Sequence, residues 1–165
     1  MRRIEAAVRV EQGTLTASFV LEGDLSRIRV PPSGAPRVGD RLWHHTCFEL
    51  FVGATHSAAY HELNFSPSRE WAAYAFRGYR DGGPVADAAL APGIAVRAGA
   101  DLRLDASVAL ERLSTGYGNA ALRIGVSAVV EETNGTISYW ALRHPPGNPD
   151  FHHADAFALV LEPAR

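Results

Sequence analysis

Two runs, WHHTCFELFV and AYHELNFSP, concentrate the side chains able to do chemistry: two carboxylates, an amide, a thiol and three histidines among aromatic rings. Read at the two-residue period of a strand, Thr46, Phe48, Leu50 and Val52 share one face of the first run. Trp43, His45, Cys47, Glu49 and Phe51 share the other. In the second run His61, Leu63 and Phe65 alternate with Tyr60, Glu62, Asn64 and Ser66. The more apolar faces belong to a core, so the opposite faces assemble Glu49, Glu62 and Asn64 beside aromatic rings. The short connection 54–57 makes the runs hairpin partners. If Gly53 pairs with Ala58, Glu49 lies across from Glu62 and Cys47 across from Asn64; a slip of two residues puts Glu49 opposite Asn64. Carboxylates directly opposed, with Cβ atoms about 4.5–5.5 Å apart, need a cation, an arginine or a shared proton.

Arg77 is the candidate counter-charge. Pairing Ser66 with Trp71 across the next turn sets Arg77 beside Tyr60 and leaves Trp71, Ala73 and Ala75 on the polar face. Small residues beside a carboxylate cluster, rimmed by Trp43 and Trp71, describe a shallow trough. Such a trough suits a pyranose, whose polarised C–H face stacks on an aromatic ring while fixed acid, amide and guanidinium groups bind its hydroxyls. Other chemistry is less well provided for. Adjacent strand residues such as His44 and His45 point to opposite faces and cannot chelate together, so no metal site is expected. His152 and His153 are expected to tie the last loop to the sheet. Cys47 has no general base at motif spacing and reads as an inert, half-buried thiol. The two glutamates could mimic the carboxyl separation of a retaining glycosidase, about 5–5.5 Å. Nothing marks one as acid and the other as base, and a small domain without deep-cleft insertions offers little support for catalysis, so no enzyme is expected.

The elements that must position these residues are strands. Alternation is clearest over Asp101 to Leu110 and Ala120 to Glu132, and sustained helical periodicity is absent. Further strands are expected at Ile4 to Val10, Thr14 to Glu22, Leu25 to Val30, Leu42 to Gly53, Ala59 to Ser66, Trp71 to Tyr79, Ile137 to Leu142 and Phe157 to Glu162. Asn134-Gly135 matches the type I′ hairpin preference. Roughly ten strands with turn-punctuated spacing imply an all-β fold, an antiparallel β-sandwich, in one domain over residues 1–165.

Composition narrows the partners. The formal net charge is −2 and all 16 basic residues are scattered arginines, so the basic stripe that phosphate binding needs is missing and no nucleic-acid partner is expected. No stretch approaches a membrane span, and the first residues lack the apolar core of a signal peptide. With one cysteine and no export signal, a cytoplasmic location is expected.

The run LWHHTCFELFVG followed by YHELNFSPSREW resembles the DOMON-like superfamily and its carbohydrate-binding module family nine branch. The matching pattern is Trp43, Glu49 and Phe51, then Tyr60, Glu62 and Asn64 ahead of Pro67; PDFHHADAF is similar to the closing segment. The resemblance implies a β-sandwich, often jelly-roll-like, whose relatives bind sugars or haem. It implies that a sugar is held between two rings, Trp43 and either Phe151 or Trp71, with Glu49 and an arginine contacting hydroxyls. The expected function is therefore non-catalytic binding of a saccharide by Trp43, Glu49, Glu62, Asn64, Trp71, Arg77 and Phe151, without a cofactor. Two alternatives stand: a haem or redox-cofactor domain using histidines, and an interaction domain whose polar cluster is purely structural. The haem-binding cytochromes of the superfamily use Met and His, and Met1 is the only methionine here.

Overall fold

The computed structural model describes residues 3–163. The fold is all-β, two sheets packed face to face. The smaller sheet has the order β1-β2-β9-β8, from β1 (Arg3–Glu11), β2 (Thr14–Glu22), β8 (Gly93–Ala98) and β9 (Asp101–Ala109). The larger runs β11-β10-β4-β5-β6-β3, from β3 (Arg37–Val38), β4 (Cys47–Ala54), β5 (Tyr60–Phe65), β6 (Glu70–Gly78), β10 (Leu122–Glu131) and β11 (Ile137–Ala141). Two short strands complete it, β7 (Asp81–Pro84) on β6 and β12 (Leu159–Leu161) on β10. Pairing is antiparallel except for β3 with β6, which is parallel.

Alternation in β2 and β9 places every second residue in the core, as expected for strands with one face on the core and the other toward water. Leu15, Ala17, Phe19 and Leu21 meet Leu102, Leu104, Ala106 and Val108 across the pair, and this surface packs on Phe48, Leu50, Val52, Leu63 and Ile124. The inter-sheet contact includes Phe19 stacked on Phe48, with centroids 5.0 Å apart. β4 departs from the pattern because all eight of its residues are buried. Its inner face meets the small sheet, and its outer face lies beneath other parts of the chain.

Three local expectations change. Residues 25–27 and 42–44 form 3₁₀ turns; Leu25 to Val30 contributes only the bridge Ile28 to Glu132. Asn134-Gly135 closes the β10–β11 hairpin with positive φ at Gly135 alone. A type I′ turn needs positive φ at both central residues, and Gln12 and Gly13 supply them (49° and 76°) between β1 and β2. Among the described residues no helix is long and apolar enough to cross a membrane.

Candidate functional site

The outer face of the large sheet carries the polar cluster. Val52 pairs with His61, so Glu49 lies opposite Asn64 on β5 and opposite Ser127 on β10. Glu62 sits one row along, between Phe51 and Tyr74. The hairpin thus adopts the slipped register, which makes the two acids diagonal instead of directly opposed neighbours and relieves the like-charge contact. Gly53 permits the close approach at the hairpin end: a Cβ there would come within 2.7 Å of the Ala59 carbonyl oxygen.

The β5–β6 register differs from expectation by one residue. Phe65 pairs with Trp71, and Ser66 N–H donates to the Glu70 carbonyl across the turn. A one-residue shift exchanges the faces of a strand. Trp71 and Ala73 therefore join the core, while Ala72, Tyr74 and Phe76 come to the outer face. Arg77 points to solvent and pairs with Asp81 at 3.1 Å. Neither Trp71 nor Arg77 reaches the cluster. Both faces of β6 are apolar, so alternation alone could not orient it.

Arg80, not Arg77, is the arginine that lines the outer face, and its ion-pair partner is Asp150. It stands in the β6–β7 turn with φ of 53° and donates to Asp150 at 2.8 Å. The segment 142–158 folds back over the outer face. It passes close over Gly125, where a Cβ would lie 3.1 Å from the Ala156 carbonyl oxygen and push the segment outward by a few tenths of an ångström. Phe157 packs on Phe51 and Tyr60, with the Arg123 guanidinium 4.4 Å from its ring centre.

These elements leave a trough of about 690 Å³. Glu49 and Glu62 lie at its floor, and Trp43, Tyr74, Phe76, Tyr139 and Phe151 wall it, with Arg80 and His152 also lining it. Trp43 comes from the 3₁₀ turn ahead of β4 and meets Tyr74 edge-on at 5.7 Å. Phe151 pairs with Tyr139 of β11 at 6.2 Å. In strand order the trough crosses from Tyr139 through Val129, Glu49 and Glu62 to Tyr74. Of the residues singled out in the sequence, the structure brings together Trp43, Glu49, Glu62 and Phe151, with Asn64 opposite Glu49 on the same face. Tyr74, Phe76, Arg80, Tyr139 and His152 were not singled out as ligand contacts; only the exposed aromatics of an edge strand and the Tyr-Arg-Asp turn hinted at them.

Burial sets the electrostatics. It pushes the Glu49 carboxyl above the ordinary carboxylate range, and the nearby charge of Glu62 adds to the rise; bonds from Ser127 Oγ (3.0 Å) and the Cys47 thiol (3.8 Å) oppose it. Burial raises Glu62 as well, tempered by the Asn64 amide and the Arg80 charge. Asn64 lies near enough for that effect, yet neither its Nδ2 nor its Oδ1 has a well-formed hydrogen bond. Cys47 is fully buried, not half-buried, and burial lifts its thiol well above the usual value.

His152 is pulled down to about 4, by burial first and then by the Arg80 charge, so it is neutral at neutral pH. The Arg80 backbone N–H donates to Tyr60 Oη at 3.1 Å. Tyr60 Oη and His152 Nδ1 share a hydrogen bond of 2.8 Å, and the other ring nitrogen, Nε2, lies 3.4 Å from Glu62 Oε2. His152 thereby both anchors the last loop and faces the floor. Among the described residues no group of three or more His, Cys, Asp or Glu side chains is arranged to hold a metal ion.

No protein-family model matches the chain, and no curated protein matches it. Among solved structures it is similar to a proposed carbohydrate-binding protein from Bacteroides uniformis, with a TM-score of 0.66 at 12% identity. The alignment covers 93% of this chain and 75% of that one. At that identity the likeness is one of fold.

Proposed function

We propose that the protein is a non-catalytic binding domain for a saccharide, held in the trough over Glu49 and Glu62. The observation that carries this reading is the combination of aromatic walls and a floor of two carboxyl groups in an open cavity of about 690 Å³. Trp43 and Phe151 offer faces for the C–H side of a sugar ring, and Glu49 and Glu62, with Asn64 buried behind Glu49, offer its hydroxyls partners. The resemblance of the strand pair to a sugar-binding family, and the fold shared with a proposed carbohydrate-binding protein, support the same ligand class.

The test is a glycan panel followed by isothermal titration calorimetry on the saccharides retained. Trp43→Ala and Phe151→Ala are each expected to weaken binding by at least about tenfold, roughly 1.4 kcal/mol, with the unfolding midpoint little changed. Failure of every saccharide to bind the folded protein overturns the proposal.

A further inference from the structure

The large sheet buries a third acid, Glu131, and the contrast with the trough is informative. Glu131 accepts from His45 Nδ1 at 2.7 Å, has Arg29 Nη1 at 3.4 Å, and donates its backbone N–H to Thr46 Oγ1. Glu131 thus has an arginine and a histidine within ion-pair distance. Glu49 has no cation within ion-pair distance among the described residues. Glu62 has only His152, which is neutral. Arg80 lines the trough but is bound to Asp150. Beside the two acids, Asn64 is completely buried on the same face and brings them an amide, not a cation.

A buried carboxyl without a counter-ion must keep its proton or find a cation. The walls favour the second outcome when a ligand arrives, because the faces of Trp43, Tyr74, Tyr139 and Phe151 attract positive charge. An ammonium with N–H donors fits this floor better than a quaternary ammonium does, since the carboxylate oxygens of Glu49 and Glu62 are acceptors. We infer that the trough selects an amino sugar, a saccharide whose protonated amine sits between Glu49 and Glu62 while its ring lies against Trp43 and Phe151. This inference rests on the saccharide-binding reading above and names the ligand class of the same site.

A proton balance accompanies it. The other titratable groups facing the two acids are Cys47, Tyr74, His44, His152 and Arg80. Burial holds Cys47 up, Tyr74 is raised to about 12 and His152 is lowered to about 4, so these three stay neutral near neutral pH. An incoming ammonium favours the ionised glutamates, whose protons pass to the buffer.

The experiment compares a β-1,4-linked glucosamine trisaccharide with its N-acetylated counterpart and with cellotriose, by titration calorimetry in two buffers of different ionisation heat. The glucosamine form is expected to bind at least about tenfold more tightly than either neutral sugar, with a heat that shifts between buffers by the protons released. Glu62→Gln should reduce glucosamine affinity at least about tenfold more than it reduces cellotriose affinity, in a variant whose cooperative thermal unfolding shows it folded. Should that variant not fold, the wild-type preference itself decides, since it must be largest at intermediate pH, falling on the acid side as the glutamates take up protons and on the alkaline side as the amine loses its own. Equal affinities for the three sugars overturn the inference and leave saccharide binding standing. Binding of choline in preference to the glucosamine form also overturns it. Binding of no sugar overturns both.

Discussion

Glu49 and Glu62 give stability a pH dependence of known sign. Each has its folded-state pKa raised above the ordinary carboxylate value, chiefly by burial. A group of that kind contributes fully below its unfolded pKa, and the contribution is lost as pH rises through the folded value. His152 acts in the other direction. Its folded value lies near 4, below the ordinary histidine value of 6.5, so its contribution is present above the latter and lost as pH falls toward the former. The free protein should therefore lose stability on both sides of mildly acidic to neutral pH. Glu49→Gln is expected to flatten the alkaline limb, measured by urea unfolding from about pH 5 to about pH 9, while leaving the acid limb in place. An alkaline limb as steep as in wild type would show that Glu49 is not the group responsible.

At the scale of elements, β6 decides what the trough contains. The turn 66–70 sets the pairing of Phe65 with Trp71, and that one step commits Trp71 to the core and Tyr74 and Phe76 to the trough. Trp71 is 3% exposed, whereas the Arg77 side chain is 86% exposed. Trp71→Ala should cost about 3–5 kcal/mol through lost burial and the cavity left behind. Arg77→Ala should leave the denaturation midpoint nearly unchanged, since an exposed ion pair contributes little. Comparable losses from the two changes would contradict this register. The strands were legible because alternation is strong in β2, β9 and β10; the facing of β6 was not, because WAAYAF is apolar on both sides. The segment 142–158 carried no periodic signal, and its place over β4 and β10 follows from packing against Gly125, Phe51 and Tyr60.

For the whole molecule, the division of labour runs between the two faces of the large sheet. The inner face holds the sandwich together and the outer face holds the trough, joined through strands that are buried on both sides. Phe19 belongs wholly to the inner contact, stacked on Phe48. Phe19→Ala is expected to destabilise the protein by about 3–5 kcal/mol without changing the saccharide affinity of the molecules that remain folded. A matched loss of affinity, measured by calorimetry well below the unfolding midpoint, would mean that the two faces are energetically coupled.

Fold class and the central acids were determined by the sequence alone. Period-two alternation has one solution in strands with a buried face, and the same alternation puts Glu49, Glu62 and Asn64 on a common side whichever even register the hairpin takes. Side-chain direction within a strand is local and can be read residue by residue. Beyond Trp43 and Phe151, what surrounds those acids was decided only by tertiary structure: Arg80 in place of Arg77, Tyr74 in place of Trp71, and Tyr139 and His152 brought in from a distant edge strand and loop. Turn geometry sets register, and loop packing is a long-range property. The strands could therefore be recognised before folding, while the walls of the trough exist only once the sheet and the returning loop meet.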